Sequence, residues 1–194
     1  MHPIDHIRKF ATLTPEVEQR LRAMMRNVSY GRGAVLQGIQ TLTNNAFYVE
    51  SGATRLFYIR AGREHTISFA FADQFVVVPR RIVENYADTL AVQVLEPSTL
   101  VFVPHQAVRD QLEESGAVER NEGILFLNAA LLQYSSYLEE RVEVMQTLNA
   151  SERYAWALRR YPRLTECVST TQIASFLGLT KETLYRIKNG HYTS

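Results

Sequence analysis

A chain of 194 residues is long enough for one or two domains of ordinary size, and 46% hydrophobic with 21% charged residues excludes wholesale disorder. A single cysteine, Cys167, excludes an internal disulfide framework, a four-cysteine iron–sulfur centre and a cysteine-rich zinc site. The net charge of +1 hides an asymmetry: residues 151–194 hold seven basic side chains against three acidic ones, leaving fourteen basic and seventeen acidic residues, a net of −3, to the preceding chain. A basic segment on a mildly acidic body suits a phosphate-rich partner. The opening Met1-His2-Pro3-Ile4-Asp5-His6 lacks the basic-then-apolar run of a secretory signal, and no stretch is apolar enough to span a bilayer, so the expected compartment is a reducing cytoplasm without membrane attachment.

The first predicted element is a short helix capped by Thr14, with Pro15 at its first position and Glu16 and Glu18 at its positive end. Around Gly31 and Gly33 the pattern turns to short β segments, predicted near 34–37, 46–50, 54–60, 64–71, 75–78, 90–95 and 100–103. Ser51-Gly52 and Ala61-Gly62 sit where tight hairpins need positive φ. Phe47, Phe57, Phe69, Phe71 and Phe75 are the expected core of this region. Strands at this spacing predict a small antiparallel barrel or roll, not βαβ units.

After Pro104 the periodicity is helical. From Glu119 to about Leu148, Ile124, Leu127, Leu131, Tyr134, Leu138, Val142 and Met145 recur at steps of three and four, close to the alternating spacing of a coiled-coil seam. Such a helix, roughly 40 Å long, is more than one small domain can cover. Two readings remain: burial against the roll, or self-association of two copies along the seam, the reading adopted here. Ser151 is a predicted cap for a helix ending at Tyr161-Pro162.

The sharpest signal lies in Thr170–Lys188. Ser169 and Gln172 have capping-box spacing, Ile173 and Leu177 share a buried face, Ala174 is small enough for a close crossing, and Gly178 supplies a left-handed turn. Thr180 caps a second helix whose inner face is Leu184 and Ile187 and whose outer face carries Lys181, Glu182, Tyr185, Arg186 and Lys188. Every structural position of a helix-turn-helix is suitably filled. The bland alternative is a helical hairpin with solvated charges.

At this point the sequence resembles the Crp/Fnr family of bacterial transcription regulators over nearly its whole length. The likeness rests on Tyr30-Gly31-Arg32-Gly33 with Gly38 and Gly52, on Glu64–Phe71, on Ser151-Glu152-Arg153-Tyr154 followed by Tyr161-Pro162, and on Ile173–Gly178. It implies an α+β fold: an N-terminal cyclic-nucleotide-binding-like antiparallel β-roll over 1–118, a dimerising central helix over 119–149, and a helix-turn-helix domain over 150–194. It also implies a non-enzymatic function, double-stranded DNA as partner, a homodimer, and RNA polymerase and a small-molecule effector as further partners. Lys181, Glu182 and Arg186 fall at the base-reading positions, with Thr171, Gln172, Thr183, Tyr185 and Lys188 toward the backbone.

The resemblance breaks at the family's phosphate-binding cassette. The glycine–glutamate pair is replaced by Ala72-Asp73-Gln74-Phe75, and Asp88, followed by Thr89, stands where the phosphate-binding arginine belongs. A carboxylate there repels phosphate, so a cyclic nucleotide is not expected to bind in the usual way. Arg80 and Arg81 lie nearby and read as solvated. His2, His6, His65, His105 and His191 have no ligand spacing, and no metal or cofactor is expected. Cys167 reads as a packing residue. Eight residues follow Arg186 in this sequence, too few for a substantial β-wing. The rival class is a sensor or protein-interaction module with a degenerate helix-turn-helix; an enzyme lacks any nucleophile–base pair or phosphate loop.

Overall fold

Residues 2–8, 14–78, 80–114 and 116–191 are described by the computed structural model. Among them, helices α1 (Pro3–Ile7) and α2 (Pro15–Met24) precede strands β1 (Arg26–Tyr30) and β2 (Val35–Gln37). Next come α3 (Ile39–Asn44), β3 (Asn45–Ser51), β4 (Ala53–Arg60), β5 (Arg63–Phe71), β6 (Gln74–Val76), α4 (Arg80–Tyr86), β7 (Ala91–Val94) and β8 (Ser98–Pro104). The remainder is helical: α5 (His105–Glu114), α6 (Ala117–Thr147), α7 (Ala150–Arg160), α8 (Leu164–Cys167), α9 (Thr170–Leu177) and α10 (Lys181–Lys188).

The strands form two four-stranded antiparallel sheets, ordered β1-β8-β3-β6 and β2-β7-β4-β5. Alternate side chains point between them, and Leu36, Phe47, Val49, Leu56, Val76, Leu90, Val92, Val94, Leu100 and Phe102 fill the interior. Ala61-Gly62 is a two-residue hairpin, φ +50° and +72°, closing on the pair Arg60 and Arg63. Ser51-Gly52 is not a hairpin: β3 pairs in one sheet and β4 in the other, so Gly52 turns the chain between sheets. Its φ is +92°, and a Cβ there would lie 2.1 Å from Ser98 Oγ and 2.7 Å from the Pro97 carbonyl. Gly52→Ala is therefore expected to lower stability by about 2–4 kcal/mol, from positive φ plus overpacking, seen as a lower urea midpoint at unchanged slope.

Two local expectations need correction. The cap of α7 is Asn149, not Ser151: its side chain accepts from Glu152 N at 3.0 Å while Glu152 accepts from Asn149 N at 2.9 Å, a complete capping box. The five phenylalanines do not form one core. Phe47 lies inside the roll, while Phe69 and Phe71 face outward from β5 and belong to a second core. Phe57 lies 4.2 Å beneath the Arg55 guanidinium, and Phe75 meets Tyr48 edge-on.

That second core joins the roll to the C-terminal helices. Ala53, Phe69, Phe71 and Leu95 from the outer face of one sheet pack with Val144 of α6 and with Trp156, Ala157, Tyr161, Leu164, Ile173, Phe176, Leu177 and Leu184. Phe176 is its hub, with ring centres 5.0 Å from Phe69, 5.8 Å from Tyr161 and 6.0 Å from Trp156. Burial, then the neighbouring Tyr137 hydroxyl, push the Tyr161 phenol far above its usual range, so it remains a neutral donor to Tyr137 Oη at 3.3 Å.

Helix α6, 31 residues and about 46 Å long, has two unlike faces. Tyr137, Glu140, Arg141 and Val144 turn to the body, where Glu140 accepts from Trp156 Nε1 at 2.7 Å; Met145, expected on the seam, turns there too, its Cε packing on Gly178. Ile124, Leu131, Leu132, Leu138 and Val142 are 42–70% exposed, so the body does not cover this stripe. Tyr134 is half-buried, and the Leu127 side chain lies outside the described residues.

Candidate nucleic-acid interface

The terminal helices are built by local chemistry at each joint. Ser169 and Gln172 make the capping box of α9, with Gln172 N to Ser169 Oγ at 3.3 Å and Ser169 N to Gln172 Oε1 at 3.0 Å. Gly178, φ +67° and ψ +30°, ends the helix in the left-handed region, where a side chain would be strained. Thr180 caps α10 by accepting from Thr183 N at 3.0 Å. Ile173, Ala174, Leu177 and Leu184 are buried where the helices cross.

What remains outward on α10 is a charged and aromatic face. Lys181, Glu182, Arg186 and Lys188 are exposed, and the Tyr185 ring is 64% exposed. Glu182 and Arg186 stand one turn apart on the same side. This face can offer guanidinium and ammonium donors and a carboxylate acceptor to base edges or phosphates. Of the other candidates, Thr171 is exposed, Thr183 bonds Thr180 through their hydroxyls at 2.9 Å, and Lys188 Nζ lies 3.5 Å from Thr170 Oγ1. Gln172 is half-buried and inward-turned: its Nε2 donates to Gln93 Oε1 of the roll at 3.1 Å.

Of the positions that the resemblance aligns with the phosphate cassette, Asp73, Gln74 and Thr89 bond within the roll. Asp73 sits at φ +70° and accepts from the Tyr48 hydroxyl at 3.2 Å; Gln74 Oε1 accepts from Phe71 N at 3.1 Å; Thr89 donates to the Ile59 carbonyl at 3.0 Å. Asp88 is exposed. The side chains of Arg80 and Arg81 lie outside the described residues. Cys167 is buried, and burial, with Glu96 nearby, pushes its thiol up, as suits packing. Among the described residues no cluster of three or more His, Cys, Asp or Glu could hold a metal ion, and no helix is long and apolar enough to cross a membrane.

Residues with no local sequence signal hold α9 to the body. Arg55, 2% exposed, donates through Nε to Gln93 Oε1 at 2.7 Å and pairs with Glu64. Ser175 Oγ accepts from Thr66 N at 3.0 Å and donates to the Glu64 carbonyl at 2.9 Å. Arg141 of α6 reaches Ile67 of the roll and Phe176 of α9.

A roll of two antiparallel sheets, a long half-uncovered helix and a terminal helix-turn-helix with an exposed charged face define a class: a β-roll body bearing a stalk and a small helical domain. Solved structures similar to this chain include regulators of the Crp/Fnr family, and the chain has their fold. FixK2 from Bradyrhizobium japonicum superposes with a TM-score of 0.65 at 19% identity, over 86% of this chain and 83% of that one. The cyclic-di-GMP-responsive global regulator CLP from Xanthomonas campestris gives 0.68 at 13%, over 91% of each chain. A protein described as a Crp/Fnr-family transcriptional regulator from Eubacterium rectale gives 0.67 at 16%, over 92% and 83%. No protein-family model and no curated protein sequence matches the chain.

Proposed function

We propose that the protein is a sequence-specific DNA-binding transcription regulator of the Crp/Fnr type, acting as a homodimer in the cytoplasm. The observation that carries this reading is that both surfaces it requires are open in the single chain. The face of α10 bearing Lys181, Glu182 and Arg186 is exposed, and so is the apolar stripe of α6. Pairing two stalks would present two reading helices about 34 Å apart, one turn of duplex, for insertion into successive major grooves. Arg186 donates to guanine, Glu182 accepts from cytosine, and Lys181 adds a further base or phosphate contact. Partners are then double-stranded DNA, a second copy and, at activated genes, RNA polymerase.

The same reading makes cyclic AMP a poor effector, because by resemblance Asp88 stands at the phosphate-binding arginine's position, while Asp73 accepts from the Tyr48 hydroxyl and Gln74 from the Phe71 amide.

Selection of bound fragments from a genomic DNA pool by the full-length chain tests the proposal. The expected result is one palindromic motif bound with steep salt dependence; a folded dimer that retains no DNA at low salt would overturn it in favour of a sensor or interaction module. Arg186→Ala is expected to cost about 1–3 kcal/mol at the selected site and to relax selection at one base pair, measured by fluorescence anisotropy on matched and substituted duplexes. Equal loss on unrelated DNA would make Arg186 a phosphate contact.

A further inference from the structure

Helix α9 does not merely rest on the body; polar contacts register it at three points along its length. Near its N-terminus Gln172 Nε2 meets Gln93 Oε1 at 3.1 Å, and Gln93 Oε1 also accepts from the buried Arg55 at 2.7 Å. One turn on, Ser175 bonds the backbone of Thr66 at 3.0 Å and Glu64 at 2.9 Å. At its C-terminal end the Phe176 carbonyl accepts from Arg141 at 3.0 Å. The first two anchors tie the reader to the roll. The third comes from α6, the stalk.

Arg141 holds all three parts of the molecule with one planar group. One terminal nitrogen donates to the Ile67 carbonyl of β5 at 2.7 Å, the other to the Phe176 carbonyl, and its Cζ lies 4.1 Å above the Phe176 ring. The Phe176 carbonyl is a last-turn acceptor at the negative end of α9, where a cation is favoured. A rigid guanidinium fork fixes direction as well as distance, which a lysine on its flexible stem does not. Loss of this fork leaves α9 tied to the roll by polar contacts and to the stalk by the apolar packing of Val144 and Met145, which fixes its angle less sharply.

We infer that Arg141 is a positioning residue for DNA reading: it sets the angle between the dimer stalk and the helix-turn-helix, and so the half-site spacing that the dimer accepts. This rests on the dimeric regulator reading above. A displacement of about 3.4 Å, one base-pair step, is enough to put the second reading helix out of register. A spacing determinant differs from a reading residue in its signature. It changes which separations are bound and leaves base preference alone.

The test uses the full-length chain and duplexes carrying two copies of its selected half-site at separations varied by single base pairs. Wild type is expected to favour one separation by about tenfold over its neighbours. Arg141→Met is expected to select the same half-site bases with that preference reduced below about threefold, and Arg141→Lys, which keeps the charge but not the fork, to fall between. Trp156 fluorescence reports whether each variant keeps the packed junction; should Arg141→Met lose it, the lysine variant alone decides. An unchanged spacing preference in a folded variant overturns the inference, as does loss of base preference at fixed spacing. Wild-type protein that selects no duplex at all overturns the regulator reading and this inference together.

Discussion

Phe176→Ala is expected to destabilise the whole chain by about 3–5 kcal/mol, the range for deleting a fully buried phenylalanine, and to lower the roll and the reader together. Phe176 is 1% exposed, touches Phe69 of the roll and Trp156 and Tyr161 of the C-terminal helices, and lies under Arg141. A domain boundary drawn through the stalk would predict independent melting. The shared core predicts the opposite, because each side leaves Phe69, Phe71 or Phe176 in water if the other unfolds. Trp156 is the chain's only tryptophan and sits in this junction, so its fluorescence follows the interface while far-UV circular dichroism follows all helices and strands. Coincident urea transitions for wild type, both shifted down equally in Phe176→Ala, are the expected result. A variant in which Trp156 is released at low urea while the strands persist to the wild-type midpoint would show that the halves are stable alone.

The parts legible in the sequence are those whose structure is decided within a few residues. Ser169 with Gln172, Gly178 and Thr180 each perform a local task with side chains suited to it, and the predicted helix-turn-helix has the observed caps and turn. Ala61-Gly62 and the stalk fall in the same category. Strand β1 escaped notice because Arg26–Tyr30 is an edge strand with only Val28 and Tyr30 turned inward, too little alternation to register. Asn149 and Ser151 are both good caps with a polar residue downstream; the capping box requires a partner three residues on, which Glu152 supplies to Asn149 alone. The junction was illegible for a different reason. Phe69 and Phe71 alternate with Ala70 exactly as core strand residues should, and nothing local says that they face outward toward a second domain. Gln172 shows the same limit. Its position on α9 suits a phosphate contact, but its amide is drawn to Gln93, 79 residues earlier.

Leu131→Glu combined with Leu138→Glu is expected to convert a dimer into a folded monomer and to weaken binding to a palindromic site by about 100-fold or more. These leucines are 65% and 42% exposed and one heptad apart, with Val142 and Ile124 continuing the stripe at 54% and 47%. Among the described residues the contacts of α6 with the body come from Tyr137, Glu140, Arg141 and Val144 on another side, so the fold of the single chain is expected to survive. Four glutamates facing one another across a paired seam replace apolar burial with like-charge repulsion. The cost to DNA binding follows from linkage: two tethered readers bind the second half-site at an effective concentration near the millimolar range, an advantage of 10²–10⁴ that separate monomers lose. Sedimentation equilibrium reads the first effect and titration of full and half palindromes the second. Affinity for a single half-site should be unchanged, because Lys181, Glu182 and Arg186 lie on another element. If the double variant still sediments as a dimer, the stripe on α6 is not the pairing surface; if it is monomeric yet binds the palindrome as tightly as wild type, the two readers do not act as one unit.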